Sequence, residues 1–153
     1  MKKNKIFFFS IIIPFYNLNK KDNSLLYKCL NSLKKQTLNQ KHFEILLIND
    51  GSLFFENKKI TNFKKKFINF QFYNLKKNEG QGMARNHGLK KANAKYIVFL
   101  DADDELPKHS LEQHYKFLQK KKVDLITFNW KYKNSKSNKG MRKDFKFLKD
   151  YKN

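Results

Sequence analysis

The chain has 153 residues, with 34 Lys+Arg against 13 Asp+Glu and a formal net charge of +21. That length fits one domain of ordinary size rather than two, and 40 % hydrophobic with 16 % aromatic residues supplies a core, which excludes wholesale disorder. Cys29 is the single cysteine, so an internal disulfide and a cysteine-based zinc site are excluded as well.

The charge has two readings. Of the 34 basic residues only Arg85 and Arg142 are arginine, and the chain carries 18 Asn. A Lys- and Asn-rich composition is what an AT-rich coding sequence produces, with the lysines on a solvated surface. An anionic membrane surface is the partner such a charge would suit. Readers of base edges rely on arginine forks, so specific nucleic-acid recognition is not expected. No apolar run approaches the roughly 18 residues of a membrane-spanning helix.

The N-terminus resembles the basic and apolar regions of a signal peptide. The apolar run 6–13 is short, however, and Pro14-Phe15-Tyr16-Asn17 follows where small residues should stand. It reads as a buried strand. A helical stripe follows at Leu25, Leu26, Cys29, Leu30 and Leu33, with caps in 22–24. The second strand is FEILLI at 43–48. Ile60, Phe63 and Phe67 mark a second helix amid lysines. A weaker third strand spans 70–75. Ala84, Gly88 and Ala92 recur every four residues, a small face that lets a helix lie close on a sheet. YIVFL at 96–100 is the fourth strand. Leu111, Tyr115 and Leu118 mark a fourth helix, with Pro107 near its start. VDLITF at 123–128 reads as a fifth strand. Continuous apolar runs suit strands buried on both faces, so the pattern predicts an α/β layered fold with right-handed crossovers. Residues 1–130 form one domain in this reading. Residues 131–153 hold eight Lys and one Arg against two Asp and read as a basic tail, or the start of a further half.

The informative chemistry is acidic. Asp101, Asp103, Asp104 and Glu105 place four carboxylates within five residues, directly after YIVFL. In open α/β sheets, ligands bind beyond the carboxyl ends of strands. Clustered carboxylates repel unless a cation sits among them, and oxygen-only ligands suit Mg2+ or Mn2+ bridging to phosphate. A solvated acidic turn that caps the next helix is the plainer alternative. Asp50 ends the second strand in LLINDGS, where Asp-Gly-Ser is also an ordinary turn. Gly80-Gln81-Gly82 opens the small-faced helix, and backbone N–H groups at a helix start attract phosphate; close packing would explain the glycines equally. Arg85 follows where a dinucleotide fingerprint would have its third glycine. His42, His87, His109 and His114 show no metal-binding spacing, and no nucleophilic triad signature is present.

Four motifs then occur in order: SIIIPFYN at 10–17, LLINDGS at 46–52, NEGQGMARNHG at 78–88 and FLDADD at 99–104. Together they resemble the inverting glycosyltransferase family 2. The resemblance implies the GT-A (Rossmann-like) fold, a three-layer sandwich with a mainly parallel sheet, incomplete here at its C-terminal side. It implies a nucleotide-sugar donor, most often a UDP-sugar, and a glycan or lipid-linked acceptor. By motif match Pro14, Phe15, Tyr16 and Asn17 would line the nucleotide site. Asp50 would accept a hydrogen bond from the base, Arg85 would help position the nucleotide, and Gly51 and Gly82 would belong to the same nucleotide-sugar site. Asp101-Ala102-Asp103 would be the Asp-x-Asp motif, with Asp101 on ribose or metal and Asp103 on a Mn2+ or Mg2+ ion.

The sequence departs from the family's pattern in two places. Asn49 stands where the family usually has Asp. Only 49 residues follow Asp104, with Glu105, Glu112, Asp124, Asp144 and Asp150 in no recognisable family context, so the general base is expected to be missing. A donor-binding part of a glycosyltransferase is the leading expectation, placed in the cytoplasm or at the inner face of a bacterial membrane. A homo-oligomer that covers an exposed sheet edge fits this reading. The alternative of another class is a non-catalytic nucleotide-binding or scaffold protein that uses its basic surface.

Overall fold

The computed structural model describes residues 7–19 and 22–126. The chain divides into a unit Met1–Lys120 and a second unit Lys121–Asn153. The first unit alternates strands and helices: β1 (Phe7–Phe15), α1 (Asp22–Lys34), β2 (Phe43–Asn49), α2 (Asn57–Lys64), β3 (Phe70–Asn74), α3 (Gln81–Lys91), β4 (Ala94–Phe99) and α4 (Ser110–Lys120). A single 3-10 turn, Gln40–His42, leads into β2. The apolar run near the N-terminus is therefore a strand.

The four strands form one sheet in the order β3-β2-β1-β4, and every pairing is parallel. Steps from β1 to β2 to β3 run one way, and the step from β3 to β4 runs back across the sheet. With right-handed crossovers, α1 and α2 cover one face and α3 the other. This is the expected α/β three-layer arrangement. The central strands explain themselves: all seven residues of β2 are buried, as are the last seven of β1. Tyr27 of α1 and Phe63 of α2 stack with ring centroids 5.7 Å apart, which joins the two helices on their shared face. On the opposite face Ile12, Leu46, Ile48 and Ala84 form a core cluster. Gly88 matters there, because a Cβ at that position would sit 2.4 Å from Cγ2 of Ile12. The small-residue stripe is thus a packing face.

Two expectations about strands need correction. The apolar run YIVFL predicts burial on both faces, but β4 is an edge strand among the described residues and leaves Ile97 36 % and Phe99 48 % exposed. Residues 123–126 form no strand. Residues 127 and 128, with the whole of 131–153, lie outside the described residues. No described helix is long and apolar enough to cross a membrane.

Candidate functional site

The C-terminal ends of all four parallel strands lie at one edge of the sheet, where the loops after β1, β2, β3 and β4 emerge. Alternation along β1 decides which motif residues reach that edge. Phe15 does not: it is 4 % exposed and its ring stacks near Phe72, with centroids 6.4 Å apart. It is a core side chain. Tyr16, one residue on, is 36 % exposed. Asn17 is buried and structural. Its amide donates to Oδ1 of Asn23 at 2.8 Å, its N–H donates to Oγ of Ser52 at 2.9 Å, and its carbonyl accepts from Leu53 and Phe54.

Asp50 is also buried, and its carboxylate is engaged with backbone through both oxygens. Oδ1 accepts from the N–H of Glu79 at 2.9 Å and Oδ2 from the N–H of Gly80 at 2.8 Å. It therefore ties the end of β2 to the start of α3. Gly51 makes this approach possible. Its φ is +69°, and a Cβ there would lie 2.4 Å from the carbonyl carbon of Lys77. Asn49, the departure from the family's Asp, is fully buried and uses both halves of its amide. It donates to Oδ1 of Asn74 at 2.6 Å and accepts from the N–H of Ser52 at 3.0 Å. A carboxylate has no donor for Asn74 as the pair stands.

The third motif meets the fourth across the edge. Gly80, with φ +89°, caps α3, and space is open around Gly82. Arg85, one turn into α3, pairs through Nη2 with Oδ1 of Asp101 at 2.6 Å. Gln81 donates to the same oxygen at 3.0 Å. The guanidinium also lies 5.7 Å from the centroid of the Phe99 ring, and its Nε is buried with no hydrogen-bond partner among the described residues. One face of the arginine is held while a donor remains unused.

Asp103, Asp104 and Glu105 are exposed beside this pair, and Ala102 is half-buried. Desolvation, reinforced by Asp103 and then Asp101, raises the Asp104 carboxyl above its ordinary range. Desolvation, and then the same group of acids, pushes the Cys29 thiol up to about 12. The local field is negative. Among the described residues no three His, Cys, Asp or Glu side chains converge to hold a metal ion. The donor set nevertheless fits a hard divalent cation that takes its other ligands from phosphate and water. Asp103 would hold it. Asp101 already spends one oxygen on Arg85 and Gln81.

Gln36, Ser32 and Thr37 hydrogen-bond the end of the acidic loop at Leu106–Lys108, and nothing in the sequence pattern points to them. Their partners lie some 70 residues further along the chain, and isolated polar residues around the end of a helix carry no signal.

A family model described as glycosyl transferase family 2 matches residues 10–153. The chain belongs to glycosyltransferase family 2. Among family relatives, an uncharacterized glycosyltransferase of Rickettsia bellii (strain RML369-C) is 41 % identical over 113 residues, covering 72 % of this chain and 15 % of the relative. The poly(ribitol-phosphate) beta-N-acetylglucosaminyltransferase TarP of Staphylococcus aureus (strain N315) is 35 % identical over 119 residues, covering 76 % of this chain and 35 % of TarP. The chain thus spans about a third or less of the length of these relatives. The crystal structure of S. aureus TarS 1-349 in complex with UDP superposes with a TM-score of 0.68 at 30 % identity, over 74 % of this chain and 32 % of that one. A Pyrobaculum calidifontis mannosyltransferase in complex with GDP-Man and Mn2+ shares the fold, with a TM-score of 0.64 at 19 % identity.

Proposed function

We propose that this chain forms the donor-binding part of a glycosyltransferase that passes a sugar from a UDP-sugar to a glycan or lipid-linked acceptor, with inversion at the anomeric carbon. The observation that carries this reading is the Arg85–Asp101 pair at the start of α3. A helix N-terminus and a partly exposed guanidinium paired with Asp101 stand beside the acidic loop at the sheet edge. That arrangement suits a diphosphate, which needs N–H donors on one side and a cation on the other. The similarity to TarS, crystallised with UDP, supports a uridine nucleotide.

In this reading Tyr16 flanks the base, Asp50 holds the α3 loop in register, and Gly82 leaves room for the diphosphate. Asp103 holds the divalent ion, Mn2+ or Mg2+. When bound, that ion would supply Lewis-acid neutralisation of the departing diphosphate. The acceptor hydroxyl, deprotonated by a carboxylate, attacks the face opposite the leaving group. No carboxylate of this chain is assigned as that base. The lysine-rich surface would favour approach to an anionic bilayer.

Calorimetric titration with UDP, with and without Mn2+, tests the assignment. Wild type should bind more tightly with the ion. Asp103→Ala should lose that gain, and Arg85→Ala should weaken binding under both conditions. Equal heats for all three proteins would defeat it.

A further inference from the structure

The loop between β4 and α4 carries the acidic residues yet has no regular secondary structure. A backbone hydrogen bond within it runs from the N–H of Asp104 to the carbonyl of Asp101, at 3.0 Å. Its position is set by α1 and the residues just after that helix. The thiol of Cys29 donates to the carbonyl of Asp101 at 3.6 Å. Oγ of Ser32 accepts from the N–H of Leu106 at 3.0 Å. The N–H of Thr37 donates to the carbonyl of Lys108 at 3.1 Å. Cys29 and Ser32 lie one turn apart in the second half of α1, and Gln36 and Thr37 follow just after its end.

Gln36 is the centre of this tether. Its amide nitrogen lies 2.8 Å from the carbonyl of Pro107 and 3.3 Å from that of Leu106, and also 3.3 Å from that of Ser32. Its amide oxygen accepts from the N–H of Leu111 at 3.1 Å, near the start of α4. One planar group thus supplies donors to the end of the acidic loop and an acceptor to the helix that follows. Glutamate would keep only the acceptor, and leucine neither.

We propose that Gln36 is a positioning residue that holds the acidic loop against α1 and thereby sets where Asp103 stands relative to Asp101 and Arg85. The inference rests on the reading of that loop as the diphosphate end of the donor site. The loop is pinned at Asp101 on one side and at Leu106–Lys108 on the other, with Asp103 between the pins. Gln36 is half-buried and Pro107 is exposed, so water can replace the lost bonds. The consequence of losing them is displacement of the loop rather than unfolding.

The test compares wild type with Gln36→Leu and Gln36→Glu. UDP affinity in the presence of Mn2+ is measured by calorimetry, uridine affinity by ligand-observed NMR, and amide exchange across 101–111 by mass spectrometry. Support for an ion-binding group typically counts about tenfold in affinity, so both variants should lose about that much for UDP with Mn2+ while uridine binding stays within about twofold. Exchange at Leu111 should accelerate in Gln36→Leu and stay slow in Gln36→Glu. Wild-type UDP affinity in Gln36→Leu overturns the inference, and so does a parallel loss of UDP and uridine binding with a lowered melting temperature. If wild type itself shows no UDP binding with Mn2+, the donor-site reading fails instead. The exchange arm then judges the tether alone: unchanged exchange at Leu106 and Leu111 overturns it, and faster exchange supports it.

Discussion

Replacing Gly51 by alanine should destabilise the fold, whereas the same change at Gly82 should not. Gly51 has φ +69°, and an added Cβ would meet three backbone atoms, at 2.4 Å from the carbonyl carbon and 2.8 Å from Cα of Lys77 and at 2.6 Å from the nitrogen of Asn78. Backbone atoms cannot rotate away as a flexible side chain can. The left-handed conformation costs alanine about 1–2 kcal/mol, and overpacking against fixed atoms adds about 1–3 kcal/mol. A loss of about 2–5 kcal/mol is therefore expected, a large share of the stability of a domain this size. Gly82 lies in the first turn of α3, and a methyl group added there would meet nothing within 4 Å. Alanine there should stabilise by about 0.4–1 kcal/mol, by restricting the unfolded chain. Urea unfolding followed by circular dichroism measures both. If Gly51→Ala unfolds within about 0.5 kcal/mol of wild type, the close approach of the loops after β2 and β3 is wrong.

Three further outcomes are expected. Cys29 is buried and its thiol is pushed up to about 12, so iodoacetamide at pH 8 should label it only after unfolding; mass spectrometry that finds native labelling at the rate of a free thiol would contradict this. Glu44 is fully buried in β2 and accepts from Ser10, Asn93 and Gln71, so Glu44→Gln turns an amide donor toward donors and should cost about 1–3 kcal/mol in urea unfolding; an unchanged midpoint would count against that network. The Glu112 carboxyl is lowered by hydrogen bonds from Lys116 and Thr37. A lowered folded value means its stabilisation is present above the ordinary glutamate range and is lost as pH falls through the folded value. The melting temperatures of wild type and Glu112→Gln should therefore converge in acid; a gap that widens in acid has the wrong sign.

What can be read from the chain depends on where each partner lies. β1 and β2 are readable because internal parallel strands run nearly continuously apolar, with Ser10, Glu44 and Asn49 as buried polar exceptions, and both are buried along nearly their whole length. The same apolar signal misleads at YIVFL, since composition cannot tell an edge strand from a central one. At 123–126 an apolar pattern forms no strand at all. Within the site, the motifs bring Arg85 and Asp101 to one edge, but their direct pairing is a tertiary fact. The first motif draws Phe15 toward the site, although alternation with Pro14 and Tyr16 turns it into the core. Asn49 looks like a defect against the family pattern and is instead a buried donor and acceptor between Asn74 and Ser52. Gln36 leaves no trace in the sequence, because its role exists only once α1 and the loop after β4 are side by side.

A uridine diphosphate group held at the C-terminal edge of the sheet, between the start of α3 and the acidic loop, should be visible residue by residue. Amide chemical shifts of the 15N-labelled protein, followed as UDP and Mg2+ are added, report its position. The shifts should concentrate at residues 15–17, 50–52, 79–85 and 101–105, with those at 101–105 lost in Asp103→Ala. Shifts at the opposite end of the sheet, around Phe43, Asn69 and Ala94, or no saturable shifts at all, would contradict that placement.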